Sequence, residues 1–305
     1  MPSGIGPVAN PNPKPNADSS SRPASEPEAS ESSRLIKRHS LSTRLWHWTN
    51  FLCLIVLLMS GLQIFNAHPA LYWGEQSGFS DPFIAIHAQA GNDGEQRGVV
   101  RVAGYTLDTT GVLGLSDDNG QLRQRAFPRW ATLPGDKWLT MGRNWHFLAG
   151  WIFAPSVVAY LLYTVISRHR RGSIFPTRRQ LRAIPRTIVD HARFRFHHEA
   201  DYNGIQKITY VLVLFVLLPM MILTGLTMSP SINAAWPLLT ELFGGRQSAR
   251  TLHFICALSL MGFFFVHIAL VLVSGVFNNL RSMVTGRYRI TERPDGPVNR
   301  EDSHE

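Results

Sequence analysis

The sequence has little cysteine, and this scarcity excludes several classes of redox and structural site. Its two cysteines, Cys53 and Cys256, lie far apart, so a disulfide framework, a zinc cluster or an iron–sulfur cluster held by cysteines is excluded. The motif C-x-x-C-H is missing, which excludes covalent c-type haem attachment. No G-x-G-x-x-G motif follows a strand-like segment, so the sequence does not predict a nicotinamide or flavin domain of its own.

Charge is also missing from four long stretches, residues 45–74, 144–167, 208–240 and 251–280. Each contains about 20 apolar residues, enough to cross ~30 Å of hydrocarbon as a helix. We therefore predict an all-α membrane protein, a bundle of four transmembrane helices near 45–65, 145–166, 208–228 and 252–276. Pro219 falls in the third helix and is expected to kink it.

The charges that are present predict how the chain crosses the membrane. The formal net charge is +9, and residues 168–207 carry ten Lys/Arg against three acids, while residues 67–143 carry seven against eight. The positive-inside rule places both termini and the basic 168–207 loop in the cytoplasm, and the 67–143 loop outside. The basic surplus is thus a topology signal of a multi-pass membrane protein, and it does not indicate nucleic-acid binding.

Outside the helices, the sequence indicates two terminal tails and one structured loop. Residues 1–33 are rich in Pro, Ser, Asn and Glu and are expected to form a disordered cytoplasmic tail. Residues 34–290 form the membrane domain, and 291–305 a cytoplasmic C-terminal tail. Within the outer loop, the stretch GVVRVAGYTLDTTGVLGL at 98–115 predicts two or three short strands.

Four histidines fall within or at the ends of the predicted helices: His47, His146, His253 and His267. Any one of them alone is as well explained by a hydrogen bond between helices as by a function. Together they form a pattern, because His253 and His267 are 14 residues apart, about 40° short of four helical turns and ~21 Å apart along one face. By the predicted topology, His47 shares the inner depth with His267, and His146 shares the outer depth with His253.

Two histidine pairs at two depths are the arrangement that two bis-histidine b haems require. Both axial positions of each iron would be closed, which favours electron transfer over oxygen chemistry. We expect an inner haem between His47 and His267, and an outer haem between His146 and His253. Each imidazole would bind iron through one nitrogen and keep the other N–H for a fixing hydrogen bond.

Residues beside the ligands add candidate haem contacts. Gly61 lies 14 residues after His47 on the same helix face, where a flat macrocycle needs room; close helix packing explains it equally well. Arg143 and Arg250 each precede an outer histidine by three residues and are candidates for binding haem propionates. Arg44 has the same spacing before His47, but there an ordinary positive flank is the better interpretation.

The segments RLWHWTNFLCLIVLLMSGLQIF (44–65), NWHFLAGW (144–151), YNGIQKITYVLVLFVLLPMMILTGLTMSP (202–230) and RTLHF (250–254) resemble the prokaryotic di-haem membrane cytochrome b family, which serves nickel-iron hydrogenases, formate dehydrogenases and thiosulfate reductases. The resemblance covers about residues 38–290. The segments FNAHPALYWG and FPRWATLPG look most like the thiosulfate-reductase cytochrome b subunit branch. The long outer loop departs from the shorter hydrogenase-type subunits.

The resemblance implies ligands at His47, His146, His253 and His267, electron exchange with a quinone, and a separate periplasmic oxidoreductase, of a molybdopterin, sulfite-oxidase-like type. Quinone exchange is expected near the inner haem, around His47, Asn50 and His267. The leading hypothesis is therefore an electron-transfer subunit without substrate chemistry of its own. The alternative is a transporter or proton channel that uses the histidines as a relay without haem, but no acidic residue lies in the four apolar cores.

Overall fold

The computed structural model describes residues 32–78, 81–166, 182 and 204–292. Four helical segments are long and apolar enough to cross a membrane: Leu41–Phe65, Leu139–Ile166, Lys207–Thr227 and Arg246–Val273. Strands occupy much of the connection between the first two. The predicted fold class, a four-helix membrane bundle with a β-containing loop, is confirmed.

Eight helices occur in the described part of the chain. They are α1 (Leu41–Phe65), α2 (Leu139–Ile166), α3 (Gly204–Val211), α4 (Leu218–Thr227), α5 (Pro230–Ala235), α6 (Pro237–Leu242), α7 (Arg246–Val273) and α8 (Val276–Thr285). A π-helical segment, Leu212–Leu217, joins α3 to α4, so that these form the third membrane segment together. We call the end of the bundle where α1 ends and α2 begins the loop end, and the opposite end the basal end.

Several helix boundaries differ from the predicted ones by a few residues. Helix α1 begins at Leu41, where 45 was predicted, and α7 begins at Arg246, where 252 was predicted. Helix α2 begins at Leu139, well before the predicted 145, because polar residues at a helix end can face water while still making helical hydrogen bonds. Helix α7 ends at Val273, short of the predicted 276. Gly275 follows with a positive φ of 98°, a conformation that glycine adopts without steric cost, and it separates α7 from α8.

Pro219 acts through a change of helix type. It stands in the first turn of α4, directly after the π-helical segment. Proline has no N–H to donate and its ring crowds the carbonyl four residues earlier, and a wider π turn relieves both problems.

The centre of the bundle is packed with apolar side chains contributed by all four membrane segments. Cys53, Phe153, Val157 and Leu260 are among its buried members. Both cysteines are buried and free, in agreement with a packing role. Large apolar residues on the outer helix faces, such as Trp151 and Val273, are exposed, as expected for surfaces that contact lipid.

The loop between α1 and α2 contains more β structure than the sequence predicted. Strands β2 (Ala70–Leu71), β3 (Ile84–Ala90), β4 (Gln96–Val102) and β5 (Tyr105–Asp108) form an antiparallel sheet in that order. Strands β6 (Gly114–Asp118) and β7 (Gln121–Arg125) form a hairpin. The strands predicted within 98–115 are present, whereas β3 and β7 were not anticipated. Strand β7 (QLRQR) has almost no apolar residues, and β3 (IAIHAQA) is rich in alanine, which favours strands weakly.

Hydrogen bonds tie this loop to the ends of the helices. The hydroxyl of Thr251 donates to the carbonyl of Tyr72 at 2.6 Å, and the Ser248 hydroxyl accepts from the N–H of Gly74 at 2.7 Å. At the C-terminal end of α1, the side chain of Asn66 donates to the Phe127 carbonyl through its amide and accepts from the Phe127 N–H through its oxygen. The loop is therefore attached to the last turn of α1 and to the first turns of α7, just before His253.

The basal end is held by contacts between α1 and α8. Trp48 Nε1 donates to the Met283 carbonyl at 3.1 Å, and the Arg44 guanidinium donates to the carbonyl of Val284. Arg44 therefore joins α1 to α8.

The chain termini form a separate two-stranded sheet of β1 (Ser32–Lys37) and β8 (Arg287–Glu292). The predicted tails, 1–33 and 291–305, lie outside the described residues apart from the ends that join these strands. Most of the basic 168–207 loop also lies outside them.

Candidate functional site: two histidine pairs

The structure brings the four predicted histidines together in two pairs. At the basal end, the rings of His47 on α1 and His267 on α7 have centroids 6.4 Å apart, with an interplanar angle of 52°. At the loop end, the centroids of His146 on α2 and His253 on α7 are 6.3 Å apart, with an angle of 62°. These are the inner and outer pairs expected from the sequence, and all four rings are partly buried.

The spacing within each pair has a simple chemical interpretation. A metal–imidazole bond is about 2.0 Å long, and a ring centroid lies about 1.1–1.2 Å behind the coordinating nitrogen, so two axial imidazoles on one iron have centroids about 6.2–6.4 Å apart. Both observed separations have this value. Edge-to-face aromatic contacts also have centroid separations in this range. For two imidazoles that share one iron, the same separations leave room for one metal ion in the plane of a macrocycle.

No cluster of three or more His, Cys, Asp or Glu side chains able to bind a metal occurs among the residues that the structure describes. Each pair therefore offers two protein ligands. A ligand set of two opposed imidazoles fits a haem, whose four pyrrole nitrogens complete the coordination of iron, better than it fits a bare metal ion, which takes three or four protein ligands at a site of this kind.

Hydroxyl groups fix both rings of the loop-end pair. Ser60 Oγ lies 3.1 Å from His146 Nδ1, and Thr224 Oγ1 lies 3.0 Å from His253 Nδ1. Neither hydroxyl residue was anticipated as part of the site. Ser60 and Thr224 are both fully buried, which makes these contacts well shielded from water.

A glycine follows each hydroxyl residue and lies against the same ring. A Cβ on Gly61 would be 3.4 Å from Cε1 of His146, and a Cβ on Gly225 would be 3.5 Å from Cε1 of His253. The nearest side chain to a Cβ at Gly61 is thus the His146 ring, which agrees with the alternative of close packing between α1 and α2. The clearance for a macrocycle stays a prediction. Gly225 was missed, although the repetition of Ser60-Gly61-Leu62 as Thr224-Gly225-Leu226 is a visible signal.

The basal pair is held differently. Nδ1 of His47 is buried and has no hydrogen-bond partner among the described residues. Next to it, Asn50 is buried, its amide donates to the Trp46 carbonyl at 2.8 Å, and its oxygen accepts from the Ser156 hydroxyl at 3.0 Å. A buried ring nitrogen without a partner is costly unless a ligand or water satisfies it.

The two candidate propionate arginines have different surroundings. Arg143 is exposed in the first turns of α2, with its guanidinium 5.7 Å from the ring of Phe147. The guanidinium of Arg250 donates to the carbonyls of His68 and Ala70, and lies over the ring of Phe65. Arg143 therefore has its hydrogen-bonding capacity available for an anionic group, whereas Arg250 already joins α7 to the loop.

Comparison with known sequences identifies the family. Residues 38–92 and 114–286 match the family described as prokaryotic cytochrome b561. The chain belongs to this family. The match includes all four of these histidines and omits residues 93–113, which contain the whole β4–β5 hairpin. Its members are membrane cytochromes b, so the family implies b haem, and the two histidine pairs fit that group.

One curated relative is 32% identical over 161 residues, which is 52% of this chain and 77% of the relative. It is a protein from Azospira oryzae named as a protein-methionine-sulfoxide reductase subunit, YedZ1. No solved structure matches the chain significantly. The resemblance inferred from the sequence is confirmed at the level of the family, and the protein is an integral membrane, haem-binding electron-transfer protein.

Proposed function

We propose that this protein carries electrons through two bis-histidine b haems between the quinone pool and a partner oxidoreductase. His47 and His267 would hold the basal haem, and His146 and His253 the loop-end haem. In this proposal both termini are cytoplasmic, the membrane is the bacterial inner membrane, and the loop end faces the periplasm. The observation that carries it is the pair of ring separations, 6.4 and 6.3 Å, each the width of one axially ligated iron.

Each haem would be held by the two histidines of its pair and would supply one-electron chemistry. The protein fixes the distance between the two haem sites, because His253 and His267 lie on one face of α7, ~21 Å apart along the helix axis. Apolar side chains fill the bundle between the two depths and exclude water from it. This arrangement suits conduction between two ends of a membrane bundle, and a histidine relay for protons would have no need of paired rings at iron spacing.

Quinone exchange is proposed at the basal end. Asn50 is held by Trp46 and Ser156 and keeps one amide N–H, since an Asn side chain has two donors. The unpartnered Nδ1 of His47 is a second polar group at this depth. Polar groups buried in an apolar setting are what a quinone carbonyl needs for orientation.

The partner is proposed to bind at the loop end. The named relative is a subunit of a reductase, which supports a separate catalytic subunit here as well. We propose a periplasmic molybdopterin oxidoreductase of the sulfite-oxidase-like type, docked on the β loop, with Arg143 contacting a propionate of the loop-end haem. Affinity purification from native membranes, followed by molybdenum analysis, tests this assignment; a complex without molybdenum would contradict it.

The order of the electron path is tested with purified protein and a reduced quinone analogue. In the wild type, quinol reduces both haems. In His267→Ala, which removes one basal ligand, we expect the loop-end haem to remain and to be reduced by dithionite, but to be reduced by quinol at least tenfold more slowly. The expected cause is loss of the basal haem that lies between quinol and the loop end.

His87→Ala serves as a matched control, because His87 lies on β3 in the loop and should leave both haems and both rates unchanged. Unaltered quinol reduction of the loop-end haem in His267→Ala would place the quinone site elsewhere. A wild-type protein that binds no haem would reject the proposal altogether.

A further inference from the structure

The two loop-end histidines are supported by the same three-residue segment on two different helices. Ser60-Gly61-Leu62 lies in α1 beneath His146, and Thr224-Gly225-Leu226 lies in α4 beneath His253. In each case the hydroxyl is about 3 Å from Nδ1 and the glycine lies against Cε1. The repeat gives the loop-end site an approximately symmetric cradle.

The direction of these hydrogen bonds follows from the second partner of each hydroxyl. Ser60 Oγ donates to the carbonyl of Val56 at 2.6 Å, and Thr224 Oγ1 donates to the carbonyl of Met220 at 2.5 Å. A hydroxyl has one proton, so towards the imidazole each oxygen acts as the acceptor. Nδ1 of each ring must then carry the proton, which leaves the lone pair on Nε2 for iron.

The basal pair lacks this arrangement on one side. Nδ1 of His47 has no acceptor among the described residues. An imidazole that donates its N–H to an acceptor becomes a stronger electron donor to the metal on its other side. Stronger donation stabilises ferric over ferrous iron, and so lowers the reduction potential.

We propose that Ser60 and Thr224 are positioning residues that lock the Nδ1–H tautomers of His146 and His253, and thereby hold the potential of the loop-end haem below the value it would otherwise have. This rests on the proposed function, since it requires haem at the pair. By this proposal, two hydroxyl groups that do not contact iron make the reduction potential of the loop-end haem differ from that of the basal haem. Their removal should shift one potential and leave the other in place.

The experiment compares Thr224→Val with Thr224→Ser by redox titration of the purified holoprotein. Valine keeps the shape and removes the hydroxyl, while serine keeps the hydroxyl and removes a methyl group. Thr227→Val is a matched control, because Thr227 is equally buried on α4 and its hydroxyl donates only to the Leu223 carbonyl, at 2.8 Å. Ser60→Ala tests the second cradle independently.

Removing a hydrogen bond to a metal-bound histidine changes metal affinity by about tenfold or more in known sites. The carbonyls of Met221 and Leu57 also lie within hydrogen-bonding reach of the two rings, so a smaller, three- to tenfold loss of preference for ferric iron is expected. That corresponds to an increase of about 28–59 mV for a one-electron couple. A His253→Ala sample, which keeps only the basal haem, identifies which potential belongs to which site.

We expect Thr224→Val and Ser60→Ala each to raise the loop-end potential and to alter the low-spin ferric spectrum of that haem, with the basal potential unchanged. Thr224→Ser and Thr227→Val should match the wild type. Loss of the loop-end haem from Thr224→Val, with retention in Thr224→Ser, would also support the role. Unchanged potentials in both hydroxyl-deleted proteins, or an equal shift in Thr224→Ser, would overturn it, even with two haems present in the wild type.

Discussion

Replacing Gly61 by valine should selectively weaken the loop-end haem. The Cβ of any residue at position 61 would lie 3.4 Å from Cε1 and 3.7 Å from Nδ1 of His146, which is ordinary to tight van der Waals contact. Alanine therefore fits, with an adjustment of a few tenths of an ångström. Valine adds methyl groups about 1.5 Å further out, and a helix allows its side chain essentially one rotamer.

The size of the effect follows from the space available. A methyl group directed at the ring would come within about 2 Å of Cε1, well below the ~3.5 Å of a normal carbon–carbon contact. His146 must then shift from its position on α2, which would strain its bond to the iron. Overpacking of this kind costs about 1–3 kcal/mol, which corresponds to about 5- to 140-fold weaker retention of the loop-end haem.

The assay is haem content per chain after purification, together with the rate of haem loss to an acceptor protein. Gly61→Ala should retain both haems, and Gly61→Val should lose the loop-end haem first. Gly262→Val on α7 is the control, because a Cβ there meets nothing within 4 Å while the change in helix propensity is the same. Retention of both haems by Gly61→Val at wild-type rates would refute the reasoning.

Three further predictions concern the β loop and are measured by thermal unfolding and protease sensitivity. Arg125→Met should destabilise the loop by about 1–3 kcal/mol, because its buried guanidinium donates to the carbonyls of Phe127 and Gly135 and the Phe127 carbonyl keeps only its bond from Asn66; unchanged protease resistance would contradict this. Gly98→Ala should lower the free energy of unfolding by more than ordinary overpacking does, because its Cβ would collide with the Leu113 carbonyl. Gly78→Ala should be neutral, because a Cβ there meets no described residue within 4 Å. Burial lowers the pKa of His87 below 6.5, so the unfolded loop binds the proton more readily, and the unfolding free energy should fall as pH drops below about 6.5; His87→Gln should remove that dependence.

The bundle and the histidine pairing could be predicted from the sequence because both follow from features within single helices, namely the length of an uncharged run and the spacing of histidines along it. Uncharged runs of fixed length define the membrane segments, and the 14-residue interval between His253 and His267 places two sites on one face without knowledge of the other helices. Assigning His47 and His146 then required only the direction in which each helix runs.

The details missed from the sequence depend on neighbours that are distant along the chain. Thr224 and Gly225 belong to a helix that carries none of the four histidines, so nothing local marked them as part of the site. The contacts of Arg250 could not be predicted from its spacing to His253 either, since its hydrogen-bond acceptors are the loop carbonyls of His68 and Ala70. Strands β3 and β7 likewise depend on pairing within the loop more than on an internal pattern.

The central claim is that two haems lie between the two histidine pairs, and haem stoichiometry tests it most directly. Purified wild-type protein should contain two non-covalent b haems per chain. Each of His47→Ala, His146→Ala, His253→Ala and His267→Ala should contain one, and a protein with one substitution from each pair, His146→Ala with His267→Ala, should contain none. Two haems retained in any of the single-substitution proteins, or one haem in the wild type, would contradict the account.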